Sequence, residues 1–361
     1  MSPVRGALHA VILAGGAGER FWPASRQRRP KPVLEVVAGG SLLAATVARA
    51  RRFAGRDRIW VVCGREHARA VREAAGVPAR RLLVEPSRRN TAMAIAWAAE
   101  RIAAVDPGAV LAVLPADHHI PDGAAFAAAI RRAARAAGAG GWLVTLGVTP
   151  TRPDTGYGYI QTGAPLGRVH PGLRHVRRFV EKPDAATARR FLRQGGHLWN
   201  AGIFVWSARA ILQEIEVCAP QLHRALAPLR GSPRRTGRDA IARAYRRAPS
   251  LPIDAAVMER SRRVVTLPVR FRWSDVGTWA SLAEELGVGP GRSRVIAGEL
   301  AFDEPGGNLV WGLERPIALL GVSGLAVIDT PDALLVTRLE RSPEVRRIVA
   351  ALKRTGRADV T

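Results

Sequence analysis

Short apolar runs alternate along the first two-thirds of the chain with longer stretches whose apolar positions recur at helical spacing. Residues 9–14, 59–63, 81–84, 110–114, 142–148 and 264–269 read as strands, most of them apolar throughout, as strands buried on both faces should be. Residues 41–54, 66–75, a long stretch opening at Asn90-Thr91, and 123–137 read as helices. The alternation predicts an α/β fold: a Rossmann-like, mostly parallel sheet with helices on both faces. Ligands of such sheets gather outside the carboxyl ends of the strands, so the turns at Gly15, Glu85 and Asp117 should meet one ligand. Residues 174–180 lead to a helix start at Asp184, 197–206 form an apolar run, and 209–247 read as helices around an arginine-rich linker near 232–236. From about residue 287 short strand-like pieces around Val295, Leu309, Ile317, Ala326 and Leu334 are separated by Gly, Asp and Pro, and Ser342 is positioned to cap a last helix through Leu352. The pattern therefore divides into residues 1–286 and a small β unit at 287–361, a solenoid or compact sheet.

The first strand breaks into Gly15, Gly16 and Gly18, where a side chain would block a ligand from the backbone. The loop then adds Arg20, the cluster Arg26, Arg28 and Arg29, and Lys31 between Pro30 and Pro32. Backbone donors with positive charge suit a polyphosphate. A dinucleotide fingerprint is lacking, since GGAGER has no third glycine in place, and Lys31 is followed by Pro32 where a Walker loop needs Ser or Thr.

Other positions carry candidate chemistry. Asn90 and Thr91 precede a long helix, where either residue caps free N–H groups. Asp117 ends a buried strand and offers a hard oxygen ligand for Mg²⁺ beside phosphates, while His118-His119 lacks a third zinc ligand at metal spacing. Gly156 and Gly158 leave room for a ligand against the backbone. Asn200 presents an amide in a buried run and needs partners, which a sugar hydroxyl would supply. Asp275 gives a second carboxylate, able to share a metal with Asp117.

Composition narrows the class. The chain has 361 residues, 47% of them hydrophobic, enough for a large core and a smaller unit. No apolar stretch approaches a membrane span, and the N-terminus lacks the apolar segment of a secretory signal, so a cytoplasmic protein without membrane association is expected. Cys63 and Cys218 are too few for a disulfide framework. The net charge of +25 is spread along the chain with no nucleic-acid motif, which argues against a dedicated nucleic-acid partner. There are only three lysines, Lys31, Lys182 and Lys353, against 52 arginines, and only three asparagines, Asn90, Asn200 and Asn308. A lysine that resists exchange for arginine points to a need for its compact charge, and two of the three lie in candidate motifs.

The stretch GGAGERFWPASRQRRPKP resembles the signature loop of sugar-1-phosphate nucleotidylyltransferases, and its FWPASR interior the mannose-1-phosphate guanylyltransferase branch. EPSRRNTAMAI, LPADHHI, TGYGYI, FVEKPD, WNAGIF, PIDAAVMER and WSDVGTW fit the same branch in order, from Val11 to about Leu282. Ala255 and Arg260 depart from its pattern, where tyrosine and lysine are common. The resemblance implies GTP and mannose 1-phosphate as substrates, GDP-mannose and pyrophosphate as products, Mg²⁺ as cofactor, and a homodimer with a short left-handed β-helix for subunit contacts. It implies that Gly15, Gly16, Gly18, Arg20 and Lys31 hold the triphosphate, that Glu85, Asn90 and Thr91 face the nucleoside, and that Mg²⁺ sits on Asp117 and Asp275. It also implies that Lys182 meets the sugar phosphate, and that Gly158, Glu181 and Asn200 meet the sugar. Glucose 1-phosphate, a different base, or a regulator that only binds a nucleotide sugar remain as alternatives.

Overall fold

The structure, a computed structural model, describes residues 6–361 apart from 17, 28, 37–39, 232–236, 313 and 314, so Arg28 and the 232–236 linker lie outside the described residues. In chain order the strands of the large sheet are β1 (Leu8–Leu13), β2 (Ile59–Gly64), β3 (Leu82–Glu85), β4 (Val110–Pro115), β5 (Leu143–Val148), β6 (Tyr159–Pro165), β7 (Arg174–Val180), β8 (His197–Ser207) and β9 (Val264–Val269). They lie in the order β3-β2-β1-β4-β8-β5-β9-β7-β6.

The α/β class is as the pattern predicted, but parallel pairing is narrower than expected. It holds for β3-β2-β1-β4 and for β5–β9, whereas β8 enters antiparallel between β4 and β5, and β6 and β7 pair antiparallel with their neighbours. A buried apolar run has the same composition in either direction, so direction is set by connections instead. The short β6–β7 connection carries Gly167, Pro171 and Gly172 and cannot make a crossover.

Both faces of the sheet are covered. Ala10 and Ile12 of β1 join an apolar cluster with Leu43, Val47, Phe126 and Ile130 from the helices Leu42–Arg51 and Gly123–Gly140. Val11, between them, joins Met93, Ile95 and Trp97 of the helix Asn90–Ala103 and Ile211 and Ile215 of Ala208–Cys218 on the other side. Alternate residues therefore enter opposite cores, and each large aliphatic side chain so buried contributes about 1.5–3 kcal/mol.

The C-terminal unit contains β10 (Arg294–Ala297), β11 (Leu300–Pro305), β12 (Leu309–Trp311), β13 (Ile317–Val322), β14 (Leu325–Thr330) and β15 (Ala333–Arg338). Strands β10, β12 and β14 pair in parallel, as do β11 and β13 in a second sheet, and β15 closes on β14 antiparallel. Successive strands switch sheets, so the chain winds as a β-helix. Buried Asn308 fastens its turns: Nδ2 donates to Asp303 Oδ1 at 2.8 Å and to the Val322 carbonyl at 3.1 Å, and Oδ1 accepts from the Leu325 amide at 3.0 Å. Ser342 does not cap the last helix, Val345–Arg354, because a 3-10 segment, Leu339–Glu344, intervenes. Its hydroxyl accepts instead from the Ala280 amide at 3.0 Å, in the first turn of the helix Trp279–Leu286.

Candidate active site

The turn after β1 is shaped by two different demands for glycine. A Cβ on Gly18, at φ +64°, would lie 2.5 Å from the Lys31 Cβ and 2.9 Å from Ser25 Oγ, so glycine lets the turn close onto the Lys31 segment. Gly16 needs its positive φ of +100°, but a Cβ on Gly15 would meet nothing within 4 Å and its φ is ordinary. No contact among the described residues explains Gly15; the space in front of it suits a ligand against the backbone. Arg20 follows, exposed, on the 3-10 turn Glu19–Phe21, whose Phe21 is buried.

Lys31 is not a free cation in this cleft. Pro30 and Pro32 fix its backbone in the short 3-10 segment Lys31–Val33. Its side chain is 7% exposed, and Nζ donates to Asp117 Oδ2 at 2.7 Å and to the Asp275 carbonyl at 2.8 Å, with the Phe21 ring centroid 5.4 Å away. The lysine thus joins the loops after β1, β4 and β9. The Asp117 and Asp275 loops also pair directly, the amides of His119 and Ser274 each donating to the other's carbonyl at 2.9 and 3.0 Å.

Buried groups hold each carboxylate. Burial would raise the Asp117 carboxyl, but the Lys31 ammonium, with its hydrogen bond, outweighs that and keeps the pKa below the usual range. Beneath it Arg49 donates to Thr46 Oγ1 at 2.6 Å and to the His118 carbonyl at 2.7 Å, while Thr46 donates to the Ala116 carbonyl at 3.2 Å. Burial lowers Arg49 only to about 10, so it stays a guanidinium. Asp275 Oδ1 accepts from the Tyr157 hydroxyl at 3.2 Å and the Gly277 amide at 3.0 Å. Burial, then the nearby Asp275 charge, raises the Tyr157 pKa and keeps it a neutral donor. His118 Nδ1 accepts from Trp273 Nε1 at 3.1 Å, and burial lowers its pKa to about 4, so the ring is neutral.

The sugar candidates line an adjoining cleft of about 460 Å³, which Asp275 also borders. A Cβ on Gly158 would come within 2.6 Å of Glu181 Oε2 and 3.6 Å of the Asn200 Cβ, so this glycine brings the three together. Lys182, at a left-handed φ of +42°, pairs with Glu181. The partners that the Asn200 amide was expected to need are found within the protein: Nδ2 donates to Asp254 Oδ1 at 2.8 Å, and Oδ1 accepts from the Gly202 amide at 3.2 Å. Asn200 therefore orients Asp254, whose pKa burial raises against that hydrogen bond.

At the nucleoside end, Glu85 closes β3. Burial pushes its carboxyl up to about 7, and it accepts from the Tyr245 hydroxyl at 3.1 Å. Asn90, at φ +61°, accepts from the Thr91 amide at 2.8 Å, but Thr91 is no cap. Its hydroxyl accepts from the Ile253 amide at 2.9 Å while the Ala92 amide donates to the Leu251 carbonyl at 3.1 Å, so the segment leading to Asp254 finishes this helix end. Arg26, assigned to the phosphate from sequence, is also corrected: it bonds to Asp332 at 2.6 Å and to the Val360 carbonyl.

Sequence reasoning missed Tyr157, Asp254, Arg49 and Trp273. Tyr157, Asp254 and Trp273 stood inside quoted motifs, which was the available signal. Among the described residues no group of three or more His, Cys, Asp or Glu could hold a metal alone. Lys31 ties the Asp117 carboxylate to the backbone of the Asp275 loop, and two carboxylates on neighbouring loops suit Mg²⁺, which binds through one or two protein carboxylates and completes its shell with phosphate and water.

A family model for nucleotidyl transferases matches residues 9–286, and one for the MannoseP isomerase/GMP-like beta-helix domain matches residues 304–352. The chain is 39% identical over 360 residues to the xanthan biosynthesis protein XanB of Xanthomonas campestris pv. campestris (strain B100), covering 97% of this chain and 74% of that one. It is 36% identical over 357 residues to the mannose-1-phosphate guanylyltransferase RfbM of Salmonella typhimurium (strain LT2), covering 96% and 73%. A crystal structure from Thermus thermophilus, described as a mannose-1-phosphate geranyltransferase, superposes with a TM-score of 0.84 at 35% identity, over 96% of this chain and 99% of that one.

Proposed function

Because the chain belongs to the nucleotidyl transferase family as a sugar-1-phosphate nucleotidylyltransferase, we propose that it transfers GMP from GTP to mannose 1-phosphate, giving GDP-mannose and pyrophosphate. The observation that carries this reading is the double hydrogen bond of Lys31 to Asp117 and to the Asp275 carbonyl, which ties the loop after the glycine turn to the loops of both aspartates, Asp275 itself bordering the Gly158–Glu181 cleft. The choice of mannose and guanine is supported by the likeness to the Salmonella mannose-1-phosphate guanylyltransferase.

The attacking oxygen of a sugar phosphate is already anionic at neutral pH, so the reaction needs no general base. Its difficulty is to bring two anions together and align an in-line attack on the α-phosphorus. On this reading the backbone of Gly15, Gly16 and Gly18 and the exposed Arg20 receive the triphosphate. Lys31 fixes Asp117. Lys182 turns from Glu181 to the sugar phosphate, which frees Glu181 to accept from sugar hydroxyls beside the Asn200-oriented Asp254. Asn90 offers an amide donor and acceptor to the base, with Glu85 and Thr91 holding that end. Mg²⁺, held by Asp117 and Asp275, would supply charge neutralisation at the phosphates.

The test is pyrophosphate release across a panel of nucleoside triphosphates and sugar 1-phosphates with Mg²⁺. GTP with mannose 1-phosphate is expected to give the highest kcat/KM. A preference for glucose 1-phosphate or another base would replace the substrates and keep the reaction class. Release with no pair would refute the reading.

A further inference from the structure

The loop that follows the glycine turn is fastened at its far side to the C-terminal β-helix. Lys353 Nζ donates to Glu19 Oε1 at 2.6 Å, and Trp22 Nε1 donates to the Val360 carbonyl at 2.7 Å. Arg26 lies 5.6 Å from the Trp22 ring centroid, donates to that same carbonyl, and reaches Asp332 Oδ1 at 2.6 Å with its own side chain 15% exposed. Under these bonds Phe21 and Trp22 share an apolar cluster with Trp279, Leu309, Ile328 and Val345. The third lysine, which no motif explained, and Arg26, which the sequence assigned to the phosphate, thereby acquire partners in the same place.

We propose that the C-terminal β-helix and its last helix act as a latch that sets the conformation of residues 19–26, with Arg26, Asp332 and Lys353 as positioning residues for the nucleoside triphosphate rather than its ligands. The inference rests on the reading that this loop takes the triphosphate. Among its described residues the loop has no regular structure beyond two three-residue 3-10 segments, so without outside contacts binding would have to order it. The contacts to the β-helix do this beforehand. The Lys353–Glu19 pair is 43% exposed on each side and contributes little alone, so Arg26 and Asp332 carry most of the effect.

The discriminating experiment compares Arg26→Ala, Asp332→Ala and the double variant. A latch predicts that each single variant raises KM for GTP about tenfold, that the double variant is no worse than the worse single one, and that KM for mannose 1-phosphate stays within about twofold. Were Arg26 itself a phosphate ligand, freeing it by Asp332→Ala would leave GTP binding intact or tighten it, and that result overturns the proposal. A parallel rise of both KM values with a lower Tm also overturns it, by showing general destabilisation. The charge exchange Glu19→Lys with Lys353→Glu should restore what either change alone removes. If the wild-type protein turns over no GTP, the functional reading fails; amide hydrogen exchange over 19–26 in Asp332→Ala then decides the latch separately, faster exchange supporting it and unchanged exchange refuting it.

Discussion

The Lys31 ammonium donates to Oδ2 of Asp117 at 2.7 Å from a side chain only 7% exposed, facing a carboxylate that is 32% exposed. One end of the pair is packed into the protein and the other is partly exposed, so the lysine fixes the carboxylate without covering it. A planar guanidinium could not donate from the same point to both Asp117 and the Asp275 carbonyl. Lys31→Arg should therefore fold but lower kcat about a hundredfold, because misplacing Asp117 by about 1 Å is enough for such a loss. Steady-state kinetics beside a thermal melt would check this; activity within threefold of wild type would contradict it.

Asp275→Asn keeps the hydrogen bonds at Oδ1 from Tyr157 and Gly277 and removes the charge. The expected outcome is an unchanged Tm, a fall in turnover of about 10²–10³, and weaker dependence of the rate on Mg²⁺. A Mg²⁺ titration of initial rates reads both effects.

Gly158→Ala puts a Cβ 2.6 Å from Glu181 Oε2, at the far end of an exposed side chain. Glu181 must move, and KM for mannose 1-phosphate should rise about tenfold with KM for GTP little changed. Equal changes in the two constants would place Gly158 outside the sugar cleft.

Glu85 predicts a pH dependence of stability. Its folded pKa, raised to about 7, exceeds that of the unfolded chain, so the fold binds this proton more tightly and loses stability as pH rises from the ordinary carboxyl range through 7. Glu85→Gln keeps an acceptor for Tyr245 without the charge. It should raise Tm by about 2 °C at pH 8 and by much less at pH 5. Melts across that range test the sign; a gain that grows toward acid would contradict it.

What the sequence disclosed was local. The apolar run into Gly15, Gly16 and Gly18 and the buried strand ending before Asp117 announce themselves within a few residues, because strand burial and turn geometry are set by neighbours. Pairings across distance left no such mark: Asn200 meets Asp254, Tyr157 meets Asp275, and Thr91 meets the Ile253 amide only after β8 inserts between β4 and β5. Arg26 shows the cost of reading charge alone. Among so many arginines its pattern matched a phosphate ligand, while its bonds run to Asp332 and Val360. The scarce residues were better guides, since Lys182 and Asn200 border the candidate cleft, Lys31 holds Asp117, and Lys353 reaches the signature loop.

The most direct test follows the phosphorus atoms. GTP, mannose 1-phosphate, Mg²⁺ and the protein are mixed and monitored by phosphorus NMR. The account predicts that the signals of both substrates fall together while those of a GDP-sugar and pyrophosphate grow in equal amounts. GDP with inorganic phosphate, or unchanged substrates with a folded protein, would contradict it.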